Sequence, residues 1–217
     1  MSAFQAEDAG SIPATRSNFI RMRNKKESII FTIMAKEKIS ITAAAELIAS
    51  LLLTGAWGDS EVIVKEIEES QKLKPSETRL GNVRVEMLHF YLNLVDRLAF
   101  KYLEEKRVDF FDRILATVFK DFFKGHKSSG GQVNEQIFYK IFNETHKKRQ
   151  EEYGQYKFTT EKESGSKGSL FWEFESRLAE ILGTKDDSLV IWDINSILMP
   201  SVEKFHEVCK KFMKEVI

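Results

Sequence analysis

At 217 residues the chain is long enough for one sizeable hydrophobic core, and its 42% apolar content is that of an ordinary folded protein. Lys plus Arg and Asp plus Glu both number 33, so no net field attracts nucleic acid or an anionic membrane, and any such binding must be local. The single cysteine, Cys209, excludes an intrachain disulfide or a cysteine-based zinc site and favours a reducing cytoplasm, while seventeen Phe against three Pro point to helices with an aromatic core.

The stretch from Met1 to Ser17 has no apolar run of the kind a secretory signal needs and reads as a disordered polar tail. A first helix is expected over Ser17 to Lys36, with Ile29, Ile30, Ile33 and Met34 on a buried face and a basic start. Ile39 to Trp57 approaches a membrane span in length and carries one charge, Glu46. Its wheel argues against insertion. Ile41, Ala44, Leu47, Ile48, Leu51 and Leu52 share one face, and Thr42, Glu46, Ser50 and Thr54 share the other, as in a helix half buried in a bundle. Gly55 is suited to cap that helix. Gly58, Asp59 and Ser60 then supply a turn and an N-cap for a shorter helix from Glu61 to about Lys72.

Pro75 and Ser76 lead into a long central helix, expected from near Arg79 to Lys106, in which apolar residues cover about three quarters of the circumference. One polar stripe remains: Glu86, His89, Asn93, Asp96 and Arg97 stack on a single face at 3.6 residues per turn. A break is expected near Arg107. Phe111, Ile114, Leu115, Val118, Phe119 and Phe122 then form a new apolar face that leaves Phe110 outside it, and Gly125 closes the helix. Asn134 caps a helix whose inward residues are Ile137, Phe138, Ile141 and Phe142. Its apolar signal ends at Glu144, and a flexible loop is expected over about 145–169. Leu170 to Leu182 is a helix stopped by Gly183, and Asp186 or Asp187 caps the run from Ser188 to Met199, for which helix is favoured over strand. Pro200 should break it before a terminal helix over Ser201 to Val216 that buries Phe205, Cys209 and Phe212. The expected fold is all-α, an irregular multi-helix bundle around a long central apolar helix, with residues 18–217 forming one domain.

Two Glu-x-x-His spacings, Glu86 to His89 and Glu203 to His206, resemble half-sites of a dinuclear metal centre in a helical bundle. The wheel separates them: Glu203 falls on the solvent side of its helix, so the second half-site is poorly made. Glu86 and His89 remain metal candidates. In a broader form, Glu46, Glu86, His89, Asn93, Asp96 and Arg97 form a partly buried polar network that binds a ligand only if a cavity adjoins it. Lys147, Lys148, Arg149, Tyr153, Tyr156 and Lys157 interleave cations with aromatic rings, a weaker pointer to nucleic acid that nearby glutamates dilute.

No phosphate loop, nucleophile elbow or zinc-protease motif occurs. The leading expectation is a non-enzymatic, cytoplasmic interaction or assembly module, with a homodimer as its simplest version and no cofactor. A metal- or small-ligand-binding bundle using the Glu86 and His89 stripe is the alternative.

Overall fold

A computed structural model of the chain describes residues 39–128, 134–158, 167–185 and 187–215. They form six α-helices: α1 (Ile41–Ser70), α2 (Glu77–Tyr102), α3 (Arg107–Ser128), α4 (Glu135–Gly154), α5 (Leu170–Leu182) and α6 (Ser188–Glu215). There is no strand among the described residues. The fold is an all-α multi-helix bundle. The helix expected over residues 17–36, and the tail before it, lie outside the described residues.

Helix starts follow their caps. The side chains of Ser40, Ser76, Asn134 and Ser169 each accept a hydrogen bond from a backbone N–H in the first turn of α1, α2, α4 and α5. Asp187 does the same for α6 through the N–H groups of Leu189 and Val190. Gly183 ends α5 at φ 81°, a left-handed cap that an L side chain resists. Between α2 and α3 the chain breaks through a short 3-10 turn, Glu104–Lys106, as the phase shift in the apolar pattern requires.

α1 is one uninterrupted helix, which corrects the expected stop at Gly55 and restart at Ser60. Gly55, Gly58, Asp59 and Ser60 all lie buried inside it. The Ser60 hydroxyl donates to the Ala56 carbonyl one turn back, and the Tyr91 hydroxyl of α2 donates to the Asp59 carboxylate. The turn-forming residues are thus satisfied within a helix because α2 lies against them. By length and composition α1 could cross a membrane, yet half of its most apolar window is buried inside the bundle, compatible with a soluble protein. It packs on α2, α3 and α6.

α6 likewise runs through Pro200 without ending. A proline inside a helix costs about 3 kcal/mol, chiefly through the missing N–H. Here the buried stripe continues on both sides of it through Ile194, Leu198, Val202, Phe205 and Cys209, and that burial holds the helix together.

α2 occupies the centre: every other helix packs against it. From Glu86 to Val95 no residue is exposed. Phe90 stacks on Phe174 with ring centroids 3.8 Å apart and meets Tyr153 and Phe171 edge-on, which ties α4 and α5 to it. Four expectations for α3 and α4 change. Phe110 is 1% exposed and belongs to the core, whereas Ile137 and Ile141 face solvent at 57% and 54%. α3 passes Gly125 and runs to Ser128. α4 continues past Glu144 to Gly154, so the first part of the loop expected over 145–169 is helix, held by buried Phe142, His146 and Tyr153.

The continuity of α1 has a measurable consequence. A Cβ at Gly55 would stand 3.6 Å from the Tyr91 ring, an ordinary van der Waals distance. Gly55→Ala should therefore leave stability unchanged or raise it by about 0.5–1 kcal/mol in urea unfolding, through the helix preference of alanine. A left-handed cap at this position would instead lose about 1 kcal/mol.

Candidate functional site

The polar stripe of α2 divides along its length. Glu86, His89 and Asn93 are buried at 3%, 1% and 3% exposure, whereas Asp96 and Arg97 are half-buried. Where the helix is packed on all sides it cannot offer such groups to water, so each buried one needs a partner. α4 supplies most of them.

At the buried end, Nε of Arg149 lies 2.8 and 2.9 Å from the two Glu86 oxygens, and the Tyr153 hydroxyl donates to the same carboxylate. Arg149 and Tyr153 are one helical turn apart on α4, so one face of that helix brings both. Glu152 joins Arg149 at 2.8 Å to Arg177 of α5 at 3.1 Å. Two carboxylates and two guanidinium groups thus balance. Burial works against the Arg149 charge, but Glu86 and Glu152 outweigh it and hold its pKa above the ordinary value. Burial, with Glu86 beside it, raises the Tyr153 pKa. Removing one partner from such a cluster leaves a buried charge uncompensated, a loss of about 3–5 kcal/mol.

One turn further along α2, the His89 ring lies 5.7 Å from that of His146 and 5.4 Å from that of Phe142. Among the described residues neither nitrogen of His89, nor Nδ1 of His146, has a hydrogen-bond partner. Burial, then His146 and Arg149, push the His89 pKa down to about 3. Burial lowers His146 to about 4 against the pull of Asp96.

Asn93 donates to Oε1 of Gln150 at 2.6 Å and accepts from Nε of Arg97 at 2.8 Å. Arg97 turns its Nη2 to the carbonyls of Tyr153 and Tyr156 at 2.6 and 2.9 Å, closing the C-terminal end of α4. Asp96 takes a two-pronged hydrogen bond from Arg107 of α3 at 3.0 and 2.8 Å.

Here the stripe opens. Asn93, Asp96 and Arg97, continued one turn by Phe100 and Lys101, form one wall of a cleft of about 870 Å³. Arg107, Gln150 and Gly154 at the end of α4, and Gln155 to Phe158 just after it complete the cleft. The cavity on which ligand binding was conditional therefore adjoins the outer half of the stripe. Glu46 is exposed on α1 and takes no part.

Glu86 spends both oxygens on Arg149 and Tyr153, and His89 has beside it a histidine and a phenylalanine. Among the described residues no group of three or more His, Cys, Asp or Glu side chains is placed to hold a metal ion. In α6 Glu203 is exposed, while His206 contacts the Phe158 ring at 5.1 Å and Glu207 at 3.5 Å. The basic-aromatic set divides too: Arg149 and Tyr153 turn inward, Lys148 lies 3.9 Å from Glu152, Lys147 is exposed, and only Tyr156 and Lys157 reach the cleft.

Sequence reasoning passed over Glu175, which is fully buried between α5 and α6 and accepts a hydrogen bond from Asn195 at 2.6 Å. Its position between Phe174 and Leu178 in the apolar pattern was the available signal. Burial raises its pKa to about 8 against that hydrogen bond.

These groups give stability two opposed pH windows. The unfolded chain protonates His89 and His146 near the ordinary value of 6.5, while the folded chain resists until about 3 and about 4. Stability should therefore fall below pH 6.5, by up to about 1.4 kcal/mol per unit for each ring. Glu175 has the opposite sign: the unfolded chain loses its proton near 4.5 and the folded chain near 8, so its contribution is full below 4.5 and lost as pH rises to 8. Urea midpoints from pH 4 to 9 should show a shallower acid arm in His89→Met, and in Glu175→Gln a flatter alkaline arm with higher stability at pH 8. Profiles identical to wild type would contradict these burial assignments.

No protein-family pattern, curated protein or solved structure matches the chain, and the cleft must be interpreted from its own groups.

Proposed function

We propose that the protein is a binding protein whose working surface is the cleft at the outer end of the α2 stripe, and that it receives an anionic ligand. The observation carrying this reading is the distribution of charge there. Arg97, Lys101, Arg107 and Lys157 line the cleft against one carboxylate, Asp96. Arg107 neutralises Asp96, and Arg97 is largely spent on the α4 carbonyls. Lys101, whose Nζ lies 5.5 Å from the Tyr102 ring centroid, and Lys157 form no ion pair among the described residues, so neither charge is neutralised by a carboxylate before an anion arrives. The residues lining the cleft hold charge, donate hydrogen bonds and stack; no histidine, serine or cysteine is among them. That chemistry suits binding, and with a lone buried Cys209 it suits a reducing cytoplasm.

Titration with inorganic pyrophosphate tests the reading. Binding should weaken as salt rises, and Lys101→Gln with Lys157→Gln should cost about tenfold in affinity, equivalent to about 1.4 kcal/mol. Salt-independent binding, or equal affinity in the double variant, would overturn it.

Self-association is a second reading, favoured by one observation. Leu189 and Trp192, one turn apart at the start of α6, are 73% and 55% exposed. An isologous homodimer would bury them, and protein partners of the same apolar character would use the same face. Light scattering should then show a dimer that Leu189→Asp with Trp192→Asp converts to a monomer; a wild-type monomer at high concentration refutes this reading.

A further inference from the structure

We infer that the molecule bound in the cleft is a phosphate ester carried on a planar ring, the chemistry of a nucleoside phosphate. The inference rests on the anion-binding reading above and adds the other half of the ligand. Phe100 lines the cleft yet is 70% exposed, which sets a large apolar ring in the same cleft as the two lysines. The Arg107 guanidinium lies 5.1 Å from that ring's centroid. Its bidentate bond to Asp96 orients the guanidinium beside the ring. A flat ring stacks on the exposed part of Phe100 with the Arg107 charge next to it.

The other aromatic residues of the cleft are less suited. Phe158 is engaged with Phe171 at 5.7 Å and with His206, and Tyr156 is half-buried.

Lys101 and Lys157 line the same cleft as Phe100 and Arg107. Two ammonium groups match the double negative charge of a phosphate monoester, where a single carboxylate would leave one uncompensated. The cleft volume is within the range that holds small ligands and cofactors.

The test compares three probes by calorimetry: adenosine monophosphate, adenosine and inorganic phosphate. Adenosine monophosphate should bind at least about tenfold more tightly than either fragment, the size that one base-aromatic stack contributes. Phe100→Ala should reduce its affinity to that of phosphate, and Phe100→Trp should retain or improve it. Lys101→Gln with Lys157→Gln should reduce it to that of adenosine. All three positions are exposed, so unchanged melting curves will confirm intact variants, and backbone amide shifts on titration should centre on Phe100, Lys101 and Arg107. Equal binding of adenosine monophosphate and phosphate, with pyrophosphate still bound about tenfold more weakly by the lysine variant, overturns the ring and leaves the anion reading standing. Failure of pyrophosphate and adenosine monophosphate alike overturns both.

Discussion

The structure depends on the pairing of Glu86. α2 is touched by all five other described helices, and the Glu86 carboxylate, 3% exposed at its buried middle, has no route to water. An uncompensated charge there would cost a large part of the margin by which most domains are stable. Arg149 and Tyr153 answer it from α4, and Arg177 with Glu152 extends the answer to α5. Three helices are thereby fixed by charge complementarity as well as by the aromatic packing of Phe90, Phe174 and Tyr153.

That constraint also shapes the cleft. α4 is held beside α2 along a run of specific pairs, Glu86 with Arg149, Asn93 with Gln150 and Arg97 with the last α4 carbonyls. Where α4 ends, the facing stripe of α2 continues by one more turn, to Phe100 and Lys101. The uncovered turn becomes a wall. The same pattern that is structural at Glu86 therefore becomes available for binding at Arg97 and beyond, and the point of change is the end of a neighbouring helix.

Not all of the interior is so well answered. His89 and His146 keep unbonded ring nitrogens, and one Glu175 oxygen is unbonded among the described residues. All three avoid charge near neutrality, the histidines by losing a proton and the glutamate by keeping one. Neutral burial costs far less than charged burial, and this is why an aromatic core tolerates them.

Sequence by itself determined the helical class, the centrality of α2, the apolar faces of most helices and several caps, Ser76, Asn134 and Gly183 among them. These are local properties: periodicity reports which face avoids water, and a capping oxygen reaches its own first turn. Tertiary structure alone decided that α1 runs through Gly58, Asp59 and Ser60, and α6 through Pro200, because breaking signals of a few kcal/mol yield to burial on both sides of them. It also decided the fate of the stripe. Glu86 and His89 share a face in any helix, but whether that face meets a metal, water or an arginine depends on a helix more than sixty residues away, whose own apolar pattern had faded before Arg149 and Tyr153. A polar contact between distant helices leaves no period in either of them, so only the packed fold could show where the stripe is sealed and where it opens.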